Sequence, residues 1–128
     1  MMAAPNIVNV TTITGKTAYA TPANTTENVL LANAASSGKV FKINQIVVSN
    51  IDGTNAVDAT VAYNTADGGT ADGGTNYAIA STISVPADAS LIVADKTTAI
   101  YLEEDRSITI TSGTASKLAY TISYEEIS

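Results

Sequence analysis

Carboxylates are the side chains of this sequence with the most obvious capacity for catalysis. The chain contains no His and no Cys, which excludes a Ser-His-Asp triad and both imidazole and thiolate metal ligands within one chain. The densest acidic group is Glu103-Glu104-Asp105, and glycoside hydrolysis needs two carboxylates that flank one bond. Sequence neighbours on a turn diverge, so we expect a solvated hairpin turn here and no catalytic pair.

Acidic and glycine-rich turns suggest a second kind of site, one for calcium. Asp52, Asn55 and Asp58 could supply oxygen ligands, and Asp67 and Asp72 each precede a Gly-Gly pair. Calcium takes about six to eight oxygens, and the alternating acidic pattern of an EF-hand does not occur in this sequence. We therefore expect ordinary turns, and we predict no enzymatic activity, no cofactor and no metal.

Charge narrows the class of partner. The 128-residue chain has a formal net charge of −6, and its six cations form no basic stripe. This argues against nucleic acid as a partner, because phosphate binding needs a basic face. No apolar run approaches the ~20 residues of a membrane helix, and residues 1–6 do not resemble a signal peptide. We predict neither a nucleic-acid nor a membrane partner.

Alternating residues near the end of the chain predict strands. Residues 107–111 and 117–125 alternate between apolar and polar side chains, which indicates a sheet with one dry face and one wet face. The wet face carries mostly Thr, Ser and Ala and little charge, which is typical of a surface that packs against another. In residues 39–50 the apolar parity switches at Asn44-Gln45, which predicts a β-bulge or a strand that crosses between sheets.

The same patterns predict the fold class. Eight to nine short strands separated by turn signals favour an all-β domain over residues 1–128, an antiparallel β-sandwich of jelly-roll or Ig-like type. Residues 6–13 read as a first strand that Gly15-Lys16 breaks. Residues 1–10 form an extended N-terminal segment in this interpretation.

Two segments are candidates for contact with partners. The first is the N-terminal segment, where an extended strand could add to the sheet edge of a neighbour; its predicted interface residues are Pro5, Asn6, Ile7, Val8, Asn9 and Val10. The second is a duplication, in which residues 65–69 and 70–74 have the same sequence. It predicts a flexible, exposed loop between two strands with these tip residues: Asp67, Gly68, Gly69, Asp72, Gly73 and Gly74.

Four stretches carry a resemblance to a known group of proteins. They are residues 3–10 (AAPNIVNV), 39–56 (KVFKIN through VSNIDGTNA), 101–107 (YLEEDRS) and 122–128 (ISYEEIS). Together they resemble small virion structural proteins of tailed phages, especially those that infect marine cyanobacteria. The resemblance implies a particle component without enzymatic activity, made in the cytoplasm of the bacterial host and located in the virion. The duplicated loop departs from it, because relatives often have a shorter hairpin there.

The resemblance itself leaves open whether the protein lies on the capsid or on the neck and tail, and our leading hypothesis is a capsid decoration or cement protein. It would bind the assembled shell of the major capsid protein as a homo-oligomer, with a trimer as one arrangement, and stabilise that shell. One alternative is a neck, tail or fibre-base component of the virion. A further alternative is a module that binds carbohydrate on the host surface, which the lack of Trp disfavours.

Overall fold

The computed structural model describes residues 11–128, which form nine strands in two antiparallel sheets. The strands are β1 (Ile13–Ala20), β2 (Asn28–Asn33), β3 (Val40–Asn50), β4 (Val57–Asn64), β5 (Asn76–Val85), β6 (Ser90–Ala94), β7 (Ile100–Leu102), β8 (Arg106–Ser112) and β9 (Leu118–Ile127). Short 3-10 turns lie at Thr70–Asp72 and Lys96–Thr98. Within residues 11–128, no helix is long and apolar enough to cross a membrane. The prediction of an all-β sandwich is confirmed.

The order of the strands is that of a jelly roll. The first sheet has the order β1-β9-β3-β6, with β7 also paired to β3, and the second has the order β2-β8-β4-β5. With β7 set aside, β1 pairs with β9, β2 with β8, β3 with β6 and β4 with β5. Strands from the two halves of the chain therefore pair in mirror order, as in one long antiparallel ribbon rolled into two sheets.

The core lies between the inner faces of the two sheets. The central strands of the first sheet contribute Tyr120 and Ile122 from β9 and Ile46 and Val48 from β3, all fully buried. Burial of a large aliphatic side chain contributes roughly 1.5–3 kcal/mol to stability. A slip of one residue would turn all these side chains toward solvent, so the core fixes the register of β3 on β9.

The predicted change of parity in β3 is a β-bulge. The register of β3 on β9 shifts between Ile43 and Gln45, so Asn44 is the extra residue. The bulge lets Ile43 and Ile46 both face the core, although an odd number of positions separates them. The alternative of a strand that crosses between sheets is wrong, because β3 pairs only within the first sheet.

Strand β1 differs from its prediction. It runs through Gly15-Lys16 without a break and pairs with β9 at eight consecutive positions, from Ile13 opposite Ile127 to Ala20 opposite Tyr120. The continuous backbone ladder supplied by β9 overrides the weak strand propensity of glycine. The predicted strand start in residues 6–10 lies outside the described residues.

A carboxylate on β9 forms ion pairs with lysines of the two neighbouring segments, β1 and the residues just before β3. Glu126 lies 2.8 Å from the Nζ of Lys16 on β1 and 2.5 Å from the Nζ of Lys39, which precedes β3. Hydrogen bonds from Lys16 and Lys39 hold the pKa of Glu126 below its ordinary value of 4.5. The hydrogen bond with Glu126 raises the pKa of Lys16.

We expect the Glu126→Gln substitution to lower the free energy of unfolding at neutral pH, with a difference that shrinks in acid. Because the pKa of Glu126 is depressed on folding, its ion pairs stabilise the fold above pH 4.5 and are lost as pH falls through the lower folded-state pKa. Urea unfolding of both proteins between about pH 3 and pH 7 measures this difference. Glu125→Gln is the matched control, since Glu125 makes no ion pair with the described residues. A difference unchanged at low pH would contradict the expectation.

Candidate interaction surface

One row of side chains crosses the outer face of the first sheet. Tyr19 of β1 lies opposite Thr121 of β9, and Thr121 lies opposite Val47 of β3. Val47 in turn lies opposite Ile92 of β6. Opposed residues of an antiparallel ladder point to the same face, so these four side chains form a line on the side away from the core. Tyr19 is 79% exposed and Ile92 is 59% exposed.

The rows on either side of this line are also uncharged. Thr17 and Gln45 flank Ser123 in one row, while Ser49 lies between Ala119 and Ser90 in the other. The three rows form a surface that we call the outer patch: Thr17, Tyr19, Gln45, Val47, Ser49, Ser90, Ile92, Ala119, Thr121 and Ser123. The predicted Thr, Ser and Ala face of β9 is therefore the centre of this patch.

The outer patch has the composition of a contact surface. The solvated face of an antiparallel sheet is ordinarily polar, and a free surface usually mixes charges of both signs. The outer patch carries none, although the chain has a net charge of −6, and charges occur in the next row of this face, where Lys42 lies opposite Glu125. Contiguous apolar and uncharged surface costs little to desolvate, and exposed Tyr and Ile add apolar area, so such a face favours a macromolecular partner.

An open groove of about 540 Å³ borders the outer patch beside the β3 bulge. Its lining residues are Asn44, Gln45, Asp95, Lys96, Thr97 and Ser123. The Asp95 carboxylate accepts hydrogen bonds from the hydroxyl and the backbone N–H of Thr97, which lower the pKa of Asp95. The groove thus offers amide, hydroxyl, carboxylate and ammonium groups at the rim of the uncharged outer patch.

The duplicated loop lies against the outer face of the second sheet. The Glu27 carboxylate accepts hydrogen bonds from the backbone N–H and the hydroxyl of Thr70, both at 2.8 Å, and from the Nδ2 of Asn76. The Oδ1 of Asn76 accepts from Thr109 at 2.8 Å and from Asn64 at 2.6 Å. Burial tends to raise the pKa of Glu27, but these hydrogen bonds outweigh it and the pKa is lowered.

The predicted tip of this loop is only partly exposed. Gly68, Asp72 and Gly73 are exposed, Asp67 and Gly74 are partly buried, and Gly69 is buried. The interpretation of the whole tip as a freely exposed loop is therefore wrong. The two copies of the repeat have the same sequence but different surroundings, since only the second copy, through Thr70, donates hydrogen bonds to the Glu27 carboxylate.

The loop also corrects the prediction for β8. Ser107 and Thr109 were expected on a wet face, yet both are buried. Ser107 donates a hydrogen bond of 2.7 Å to the carbonyl of Ala66, at the start of the loop. The chain covers this face of the second sheet with its own loop and satisfies its polar groups by hydrogen bonds.

The carboxylates considered for catalysis differ in their surroundings. Glu103 is exposed, but Glu104 is only 6% exposed and its Oε2 has no hydrogen-bond partner among the described residues. The expectation of a solvated turn is wrong for Glu104. The backbone N–H of Asp105 donates to the carbonyl of Asn33, which holds the turn against the end of β2.

Of the candidate calcium ligands, Asp52 organises the turn in which it lies, whereas Asp58 lies in strand β4. The Asp52 carboxylate accepts hydrogen bonds from the backbone N–H groups of Thr54 and Asn55, which lower its pKa. Within residues 11–128, no group of three or more His, Cys, Asp or Glu side chains is placed to hold a metal ion.

The predicted interface Pro5, Asn6, Ile7, Val8, Asn9 and Val10 lies outside the described residues. Comparison of the chain with protein-family models, with curated proteins and with solved structures found no match.

Sequence reasoning missed the asparagines that end three strands. Asn33 ends β2, Asn50 ends β3 and Asn64 ends β4, and all three are buried. The Nδ2 of Asn33 and that of Asn50 each donate to two backbone carbonyls, at 2.9 to 3.0 Å. An asparagine directly after an apolar strand was the available signal, because its side chain can satisfy the backbone of the loop that follows.

We expect Gly74→Ala to destabilise the protein by roughly 1–3 kcal/mol, because it overpacks the base of the loop. A Cβ at Gly74 would lie 1.9 Å from the Oδ1 of Asn64 and 2.8 Å from the Cβ of Ala66. Urea unfolding measures the loss. Gly53→Ala is the control, since its Cβ would meet no atom closer than 3.7 Å. Equal stability of the two variants would contradict the described packing of the loop.

Proposed function

We propose that this protein is a non-enzymatic structural protein of a tailed-phage virion and that it decorates the assembled capsid shell. The outer patch carries the proposal, because it is an uncharged face that spans β1, β9, β3 and β6 on an otherwise acidic chain. Such a face desolvates at little cost against a protein surface, whereas catalysis needs convergent charged or nucleophilic groups.

Two further observations support this assignment. Four stretches of the sequence resemble small virion structural proteins, and they lie at both ends and in the middle of the chain. The strand order is that of a jelly roll, an architecture that recurs in viral capsid domains and also in lectins. A fold alone does not determine function, so the jelly roll adds to the argument only together with the outer patch.

The proposed mechanism is stabilisation by binding. A protein that binds the assembled shell but not its free subunits shifts the equilibrium toward the shell, by an amount that grows with its concentration relative to the dissociation constant. The outer patch would lie on the major capsid protein, and the predicted arm Pro5 to Val10 would add backbone pairing at a neighbouring sheet edge. Copies repeated over the shell would bind as a homo-oligomer.

The copy number per particle tests the location in the virion. We expect hundreds of copies in purified particles, of the order of the number of capsid subunits, because a decoration protein occupies repeated sites on the shell. Quantitative mass spectrometry against the major capsid protein measures this ratio. A dozen copies or fewer would contradict decoration and favour the neck or tail, where symmetry about the portal axis sets a small number.

The outer patch is tested by a charge placed at its centre. We expect Thr121→Lys to weaken binding to shells that lack this protein by at least about 100-fold, because an unpaired ammonium would be buried in the contact. Co-sedimentation with the shells measures binding. Ser84→Lys is the matched control, since Ser84 is an exposed residue on a strand of the second sheet. Equal binding by the two variants would contradict the role of the outer patch.

A further inference from the structure

Strand β1 presents an open and regular sheet edge. It is the terminal strand of the first sheet, and no described strand pairs with its other side. Its eight consecutive pairs with β9 contain no bulge, and every residue of β1 except Ala18 is exposed. Such an edge offers a row of unpaired N–H and C=O groups to another strand.

The other sheet edges are irregular, apart from β7, which has only three residues. The pairing of β2 shifts between Val29 and Leu31, that of β5 shifts twice, and Thr82 in β5 has a φ of +46°. The five-residue β6 also contains a register shift. Bulges disrupt a ladder and twist the strand away from a would-be partner. Among the described strands, β1 is therefore the edge best suited to strand addition.

We propose that β1 pairs antiparallel with β1 of a second copy of this chain and joins the two first sheets into one. A two-fold axis perpendicular to the sheet keeps the outer faces of both copies on the same side. Under this symmetry, an outer-face residue of one copy lies opposite an outer-face residue of the other copy, and one residue of β1 lies opposite its own equivalent on the axis. With Thr17 on the axis, Lys16 lies opposite Ala18 and Gly15 lies opposite Tyr19 of the second copy.

The sequence of β1 favours this register over its neighbours. A shift that places Lys16 on the axis sets two lysines directly opposite each other, which is destabilising. A shift that places Ala18 on the axis pairs only residues 16–20, whereas the Thr17 register pairs residues 14–20. In the Thr17 register each Tyr19 ring lies across from Gly15, an arrangement in which an aromatic side chain covers the exposed backbone of an edge glycine.

The charges on β1 do not oppose this pairing at close range. Lys16 is the only charged residue of β1, it is on the inner face, and it pairs with Glu126 of its own chain at 2.8 Å. Each copy nevertheless carries a net charge of −6, so the two copies repel each other at longer range. Salt screens that repulsion, so the dimer should become tighter as ionic strength rises.

A charge exchange on the proposed axis tests the pairing in solution. We expect the intact chain to sediment as a dimer, Thr17→Lys and Thr17→Glu each to weaken dimerisation by about fivefold or more, and their equimolar mixture to recover it as a heterodimer. Sedimentation equilibrium over a range of protein and salt concentrations measures these constants. Ser84→Lys, on β5 in the second sheet and outside the outer patch, should dimerise like the unmodified chain.

The outcomes that overturn the proposal are specific. A monomer or a trimer of the unmodified chain, an unchanged dimer of Thr17→Lys, or no recovery in the mixture would each do so. The pairing does not depend on shell binding: Thr17→Lys tests it without a capsid, and Thr121→Lys tests the shell contact.

A position-specific cross-link tests the register in a chain that has no native cysteine. Thr17→Cys should give a covalent dimer with a short bis-thiol reagent, because residues opposite each other have Cβ atoms about 4.5–5.5 Å apart. Ile13→Cys is the matched control, since Ile13 is an exposed residue on the same face but lies far from its equivalent across the axis. Efficient cross-linking of Ile13→Cys, or none of Thr17→Cys, would overturn the register.

Discussion

The pairing of β9 with a strand on each side is the constraint on which the rest of the structure depends. β9 pairs with β3 at ten positions and with β1 at eight. Its inner face supplies Tyr120 and Ile122 to the core, and the same register sets Thr121 between Tyr19 and Val47 outside. The register that buries the core therefore also builds the outer patch, since the two faces of a strand cannot shift independently.

Local pattern was enough to predict the strands and the bulge, but it did not predict what covers them. The spacing of three positions between Ile43 and Ile46 indicates a bulge, because both side chains must point into the same core. The burial of Thr109, in contrast, depends on a loop held by Glu27, which contacts Thr70 and Asn76 at separations of 43 and 49 residues. Alternation along a strand carries no information about such contacts. It records which face is apolar, and a polar face can still be buried when hydrogen bonds satisfy it.

The two sheets of the sandwich differ in what happens to the polar side chains on their outer faces. The second sheet has Ser107 and Thr109 on its outer face and covers them with its own loop, whose hydrogen bonds end in buried groups such as Asn64. The first sheet has the Thr, Ser, Tyr and Ile side chains of the outer patch on its outer face, and the described residues leave this patch open. A covered face needs precise polar partners within the chain, whereas an open uncharged face keeps a low cost of desolvation for an outside partner.

The proposed pairing of β1 and the proposed use of the outer patch reinforce each other physically. In the paired form, the outer patches of two copies lie on one continuous sheet, and Tyr19 of each copy lies near the boundary between them. Two patches held rigidly at a fixed spacing bind a repeating surface with the effective concentration of an intramolecular contact, so a weak contact per copy is enough. A flat and uncharged face gives little affinity alone, because association has to overcome a large loss of rotational and translational freedom. Stable attachment then comes from several copies of the patch, which symmetry holds together and which bind at the same time.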